Sequence, residues 1–458
     1  MRTELRMIEE HWQQLASHLL AADGFEHAAL LICGTDRTPL ASTLLVNEVV
    51  PLTGDDLLDA GELHLSLSPI ALARIAKRAR SSDGTVVVCH SHPFPGRVHA
   101  SHLDLQTEQE LCGRVLVGRL APHAVGALVL GPDGFDGRLW TNGGPTALDR
   151  IRIVGSGLTT MPPPSGEPDP RADRQIRAWG KAGQAAITAA RVGVVGCGGT
   201  GSHVVQQLAH LGVAQLVLID DDHVETSNLS RLVGITDADV GRLKVDGLAD
   251  GARRINSNCA VSTIAASVLD TDPKQLSGLD LIFCCTDGHG SRSLLSELCQ
   301  QYLLPIIDMG VEVVSSPGRT QAGGGVRILR PGKGCLLCAG TLDPALVREE
   351  YLSEQERLRD NKRGYLRGVA EAAPSVIALN GVVASLAVLE ACQMLAGMYS
   401  SGRERLLLRG EERRLTTASV IRSPDCHVCG DRGLLGRGDA IATSTRELKA
   451  VETRRVDS

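Results

Sequence analysis

The sequence predicts an α/β protein of two domains, and three observations predict it. The first is the stretch from 190 to 232, ARVGVVGCGGTGSHVVQQLAHLGVAQLVLIDDDHVETSNLSRL. It reads strand, glycine turn, helix, strand, acid, the order of a nucleotide-binding βαβ unit in a mainly parallel sheet. The second is a β-branched run, Thr85 to His90, ending in a His-x-His pair. The third is GSGLTTMPPPSGEPDP at 155–170, rich in Pro, Gly, Ser and Thr and without periodicity. It separates the two motif-bearing regions. The expected division is a first domain at 1–154, a linker at 155–171, a second domain at 172–430 and a polar, flexible tail at 431–458.

A chain of 458 residues, 43% apolar and 22% charged, can bury two or three cores. A net charge of −6 and only 2% aromatics argue against a nucleic-acid partner. No apolar run reaches membrane-spanning length without a charge or a glycine, and the charged N-terminus lacks the apolar heart of a signal peptide. A cytoplasmic protein is expected. Its 13 cysteines are then free thiols or metal ligands rather than disulfides.

In chain order, Leu5, Ile8, Trp12, Leu15 and Leu19 predict an amphipathic helix over 4–21. Strands are expected at 27–33 and 42–50, a helix at 68–80, and strands at 85–90 and 135–140. His90 and His92 at a strand end place both imidazoles on one face. Two histidines and a carboxylate, Asp104, make a hydrolytic zinc site with one open position. Ser101 could hold an oxyanion or orient the water, and Glu48 on an earlier strand is the candidate general base. This set resembles the JAB (JAMM) metalloproteases over about 1–150. The gap from His92 to Asp104 is one residue longer than is usual there. The resemblance implies a deaminase-like α/β domain that cleaves after the C-terminus of ubiquitin-like proteins. Glu48 would be its acid/base, His90, His92 and Asp104 its zinc ligands, and Ser101 its transition-state partner.

In the second domain Gly196 permits the tight turn, Gly198 lets backbone approach phosphate, and Gly201 lets helix pack on strand. Asp220 ends the second strand, where an acid can take ribose hydroxyls. Arg231 and Lys244 could neutralise phosphate charge, and Asp287, after the strand 279–285, is placed for Mg²⁺. RQI, GCGGTGS, the DxD, NLxR, VGxxK and CTD occur in that order. The set resembles the ThiF-like activating enzymes over about 172–430. The resemblance implies a Rossmann-like fold and adenylation, by ATP, of a ubiquitin-like protein's C-terminal glycine. Gly196, Gly198, Gly199 and Gly201 would lie at the phosphates and Asp220 and Asp222 at the nucleotide. Asn228, Arg231 and Lys244 would contact phosphates, Asp287 the metal, and Arg174 would be an arginine finger reaching across a homodimer.

Cys335-x-x-Cys338 and Cys426-x-x-Cys429 can form two knuckles of a closed structural zinc site. No cysteine lies between Ala339 and Ala391, where ubiquitin-type activators carry their thiol. The adenylate would then pass to a partner, to a cysteine elsewhere, or to a hydroxyl, with Ser353 and Ser375 nearest in sequence. The apolar pattern over 374–398 suggests a core or dimer helix, and 403–421 a hairpin. The reading that follows is a bifunctional enzyme, resembling fused proteins of bacterial ubiquitin-like conjugation systems. It would activate and process one ubiquitin-like protein and hand it to a conjugating-enzyme-like acceptor. The alternatives are a sulfur-carrier adenylyltransferase and a protein in which one domain only docks the carrier.

Overall fold

The computed structural model describes residues 2–38, 41–60, 65–167, 169–316, 319–352, 356, 374–397 and 403–445. The chain forms two compact units. The first is built from residues up to Pro163, completed by Gln301–Leu303 and Leu434–Ile441. The second comprises Pro164–Gln300 and Leu304–Gly433, with the residues from Ala442.

In the first unit a nine-stranded sheet carries β1 (Arg2–Ile8), β2 (Ala28–Arg37), β3 (Ala41–Leu52), β6 (Thr85–Ser91), β7 (Val125–Gly131), β8 (Gly134–Thr141), β9 (Gly144–Ala147), β10 (Arg150–Val154) and β11 (Leu158–Met161). Their order is β11-β10-β1-β3-β2-β6-β7-β8-β9, and β4 (Leu57–Ala60) and β5 (Leu65–Leu67) form a separate ribbon. β2 is apolar from Ala28 to Cys33 because both faces are covered there. Ala29, Leu31 and Cys33 join Leu15 and Leu19 of α1 (Glu9–Leu19), while Ala28, Leu30 and Ile32 join Ile75 and Ala79 of α2 (Pro69–Ser81). On the α2 side, α3 (His102–Glu108) continues through a π-helical stretch, Gln109–Leu116, into α4 (Val117–Leu120).

Three expectations need correction. The helix expected from residue 4 begins only at Glu9, because residues 2–8 are an interior strand. Glu4 and Arg6 pair with each other inside the sheet, at 2.8 Å. The linker is shorter than expected, since Leu158–Met161 pairs antiparallel with β10. Residues 434–441 are no flexible tail: Asp439 N–H donates to Thr35 O, Asn47 to Leu435 O and Gln301 to Gly438 O. Polar composition hid this, because the segment is held through its backbone.

The second unit has an eight-stranded sheet of β12 (Arg191–Val195), β13 (Gln215–Ile219), β14 (Ala260–Ile264), β15 (Leu281–Cys284), β16 (Ile306–Ser316), β17 (Arg319–Leu329), β18 (Arg405–Arg409) and β19 (Arg414–Ala418). In the order β14-β13-β12-β15-β16-β17-β18-β19 the first five are parallel and the rest antiparallel. Among the described residues its helices include α5 (Asp173–Ala189), α6 (Gly199–Leu211), α7 (Lys244–Ile255), α8 (Lys274–Ser277), α9 (His289–Gln301), α10 (Pro344–Tyr351) and α11 (Ile377–Ala396). α11 is long and apolar enough to cross a membrane, yet it packs on α5, α6, β16 and β17. The fold is thus an α/β unit with a Rossmann-like parallel half. The expected hairpin is β18–β19. In the cysteine-free stretch after Ala339, α10 is described, and Ser353 lies outside the described residues.

Candidate functional sites

The first site forms at the end of β6. His92 N–H donates to Leu130 O of β7, and Ser91 exchanges hydrogen bonds with His27, which fixes the strand end. Ser101 caps α3: its Oγ accepts from Asp104 N–H at 3.1 Å, and Asp104 Oδ2 accepts from Ser101 N–H at 2.6 Å. That box aims Asp104 at the histidines, and the longer loop absorbs the extra residue. Asp104 Oδ1 lies 3.4 Å from His90 Nε2, and Oδ2 lies 3.3 Å from His92 Nε2. Bonds of about 2.0–2.1 Å to a tetrahedral zinc require ligand separations of about 3.3 Å. His90 Nε2 is buried and has no aligned hydrogen-bond partner, as a metal-facing nitrogen would. Burial raises the Asp104 pKa, but His90, His92 and Ser101 outweigh it and hold the carboxyl far below its ordinary range.

Glu48 is not part of this site. It faces α2, where Arg78 Nη2 holds its carboxylate at 2.5–2.7 Å. Glu26 is there instead, 8% exposed, with Oε1 3.8 Å from His92 Nε2. The reason is register. Ala28 of β2 pairs antiparallel with His90, so the residue two before Ala28 falls opposite His92. An acid directly ahead of the β2 apolar run was the available signal. Glu26, the three ligand candidates and Ser101 line one cleft of about 830 Å³, floored by Leu72, Val88, Leu111 and Ala127.

The second site lies at the C-terminal edge of the parallel sheet. Val195 is in register with Ile219 and Cys284, so the segments after β12, β13 and β15 emerge together. Gly196 turns with φ +89°, and a Cβ there would lie 2.8 Å from the Cys285 backbone. At Gly201 a Cβ would come within 2.0 Å of Gly196 O, and at Gly199 within 2.3 Å of Asn380 Nδ2. Gly198, the N-cap of α6, faces open space and leaves the first N–H groups of that helix without a side-chain cap. Such a terminus suits an anion. Asp220 braces the turn: Oδ2 accepts from Cys197 N–H at 2.6 Å and Oδ1 from Asp222 N–H at 2.9 Å. Burial raises its pKa, and these two bonds offset only part of that. Lys244 opens α7 and holds Asp222 Oδ2 at 2.6 Å.

These contacts join Gly196, Gly198, Gly199, Gly201, Asp220, Asp222 and Lys244, and Asp287 stands exposed at the same sheet edge. Asn228 and Arg231 lie on the loop that leaves it. Asn228 is buried with Oδ1 unpaired, and Arg231 donates to Ser227 O at 2.9 Å. Arg174 is exposed in the first turn of α5 and makes no described contact with this group. Asn380 of α11, which sequence reasoning missed, sits against Gly199 and donates to Ser375 Oγ at 3.0 Å.

The four cysteines converge, with Cys335 Sγ 3.7 Å from Cys426 Sγ and Cys338 Sγ 3.5 Å from Cys429 Sγ. Four Zn–S bonds of about 2.3 Å would set sulfurs about 3.75 Å apart, so the cluster fits a closed tetrahedral site. The four thiols share one hydrogen-bonded network, in which Cys335 is drawn down by a hydrogen bond from Cys429 while Cys426 and Cys429 are pushed up.

A parallel sheet, a side-chain-free turn and an acid at the next strand end define a nucleotide-binding α/β protein. The chain belongs to the ThiF family, whose pattern matches residues 172–428. It is 32% identical over 265 residues to the molybdopterin-synthase adenylyltransferase of Salmonella typhimurium, covering 57% of this chain and 96% of that protein. It is 29% identical over 257 residues to the SAMP-activating enzyme E1 of Haloferax volcanii, covering 56% and 86%. Among solved structures, E. coli MccB with MccA-N7isoASN aligns with a TM-score of 0.46 at 24% identity, covering 57% of this chain and 75% of that one.

Proposed function

We propose that the second unit is an ATP-dependent adenylyltransferase acting on the C-terminal glycine of a ubiquitin-like protein. The first unit would hydrolyse a bond at the same tail. The observation that carries the adenylation reading is the turn at Gly196–Gly201, closed to a Cβ by backbone at Gly196 and Gly201 and braced by Asp220. In the reaction a carboxylate oxygen attacks the α-phosphorus of ATP and pyrophosphate leaves. The free N–H groups of α6 cradle phosphate oxygens, and Lys244 and Arg231 offset their charge. Lys244 exchanges Asp222 for phosphate as ATP enters. Mg²⁺, for which Asp287 is the candidate ligand, would add charge neutralisation at the departing pyrophosphate.

In the first unit His90, His92 and Asp104 would hold zinc, which supplies Lewis acidity toward a carbonyl and a water. Glu26 takes the proton of the attacking water and returns it to the leaving amine. Ser101 Oγ accepts from Asp104 N–H and keeps its own proton to donate to a developing oxyanion. The test is exchange of labelled pyrophosphate into ATP, dependent on a glycine-terminated ubiquitin-like protein. Asp287→Ala should abolish exchange and Glu26→Gln should leave it intact. Equal loss in both would contradict this division of labour.

The fate of the adenylate favours a second reading, sulfur-carrier activation. Cys197, Cys284 and Cys285 are poor nucleophiles, since burial pushes all three thiols up. Ser375 Oγ is engaged by Asn380. Transfer to a nucleophile on another protein, a sulfur donor or a conjugating-enzyme-like acceptor, fits this arrangement. A homodimer in which Arg174 serves a second copy's site belongs to the same proposal.

A further inference from the structure

Past the ends of β12 and β15, strands β16, β17 and β18 continue as an antiparallel ribbon, and its register sorts residues into rows. Asp308, Arg327 and Arg405 stand side by side across the three strands. Two residues further on come Gly310, Gly325 and Leu407, and then Glu312, Gly323 and Arg409. By strand alternation all nine face the same side. All but Asp308 line a groove of about 700 Å³, with Arg292 of α9 at its inner end and Glu411 and Glu412 at its outer end. The middle row carries two glycines, Gly310 and Gly325, beside Leu407, whose Cδ2 would lie 3.3 Å from a Cβ at Gly325. A Cβ at Gly323 would lie 2.7 Å from Leu408 O, and one at Gly310 would lie 2.9 Å from Arg292 Nη2. Three rows span about 13 Å, room for an extended peptide of four or so residues.

The groove is electrically polarised. At the inner end Arg292, Arg327 and Arg405 face one acid, Asp308. That carboxylate is already engaged, by Arg292 Nε at 3.1 Å and Arg327 Nη1 at 2.9 Å. Arg405 stands directly across from Arg327, and among the described residues no acid pairs with it. Its Nε is buried without a hydrogen-bond partner. Burial and the neighbouring Arg327 charge both push its pKa down, so the site lacks a negative charge that it could use. At the outer end Glu312, Glu411 and Glu412 outnumber Arg409, which pairs with Glu412 at 3.1 Å. The cationic end abuts the nucleotide edge. Arg292 N–H donates to Gly288 O, the carbonyl next to Asp287.

We propose that this groove holds the extended tail of the ubiquitin-like protein on its way to the nucleotide, and that Arg405, beside Arg327, selects an acidic side chain upstream of the terminal glycine. The inference rests on the adenylation reading, because only a tail bound for Asp287 has reason to pass here. The glycine rows let the tail backbone lie close to the sheet, and the acid supplies the charge missing at Arg405.

The probe is a set of fluorescein-labelled decapeptides ending in Gly-Gly, with one Asp walked through the four preceding positions and Asn controls. Fluorescence anisotropy with the full-length protein at low salt reads the affinity. At one position Asp should bind about ten-fold more tightly than Asn. That preference should vanish in Arg405→Gln, which should keep the wild-type melting temperature because the side chain has no described partner to lose. Arg405→Glu should prefer Lys at the same position. Equal binding of Asp and Asn peptides everywhere, a preference that survives Arg405→Gln, or no peptide binding overturns the groove proposal. Carrier-dependent pyrophosphate exchange by the wild-type protein is read separately, and its failure alone would overturn the adenylation reading.

Discussion

At the scale of single residues, Glu26 and Glu48 differ by where backbone register sends them. Both precede or follow apolar strand runs, and both are acids upstream of His90. Only Glu26 reaches His92, while Glu48 is spent on Arg78. Glu26→Gln should therefore lower zinc-dependent hydrolysis of a ubiquitin-like fusion by about 10²–10⁴-fold, while Glu48→Gln leaves kcat/KM within about two-fold. Initial rates on a fluorogenic C-terminal fusion check this, and a large loss in Glu48→Gln would restore the sequence-based assignment. His90, His92, Asp104 and the glycine turn were legible because local rules set them: alternation in a strand, a capping box, and φ angles and close approaches that only glycine tolerates. Glu26 and Asn380 were not, since their partners lie 66 and 181 positions away and are fixed by strand pairing and helix packing.

At the scale of elements, β1 shows how an interior strand can carry charge. Glu4 is fully enclosed among Arg6, Arg150 and Arg152. Burial alone would raise its pKa, but the charges of Arg6, Arg152 and Arg150 together hold it far below the ordinary value of 4.5. The sign follows from linkage. Above pH 4.5 Glu4 is ionised folded or unfolded, and the pairing contributes in full. Below it the unfolded chain takes up a proton that the folded chain resists, so stability falls. Melting temperature followed from pH 7 down to pH 3 should show this acid limb, and Glu4→Gln should flatten it. The same variant should cost about 3–5 kcal/mol at neutral pH, because buried guanidiniums lose their counter-charge. The cysteine knuckles give a second test. Cys335→Ser should lower the second unit's melting temperature by roughly 5–10 °C, with one zinc fewer per chain than the wild type by elemental analysis. Here the CxxC spacing made each pair readable, but the pairing of two knuckles 91 residues apart depends on the fold.

At the scale of the whole molecule, the division into two units was legible and the path of the chain between them was not. A composition shift marks the first crossing, near Pro163. The two later returns, at Gln301–Leu303 and Leu434–Ile441, leave no trace in composition because they are short and are held largely through backbone carbonyls and amides. Gly436 and Gly438 take positive φ there, and Gly34 of β2 must lack a side chain because Gly436 O would lie 2.3 Å from its Cβ. Deleting residues from 434 onward should therefore cost the first unit about 2–4 kcal/mol, through lost backbone hydrogen bonds and uncovered β2. Calorimetry should show its transition lowered by more than that of the second unit, which loses only the residues from Ala442. The order of synthesis is then constrained. A nascent chain that has emptied its first 163 residues from the ribosome still lacks the clasp that finishes them, and must wait for more than 270 further residues to be translated. Any hydrolytic competence of the amino-terminal portion would thus mature last, when its activating neighbour already exists on the same polypeptide.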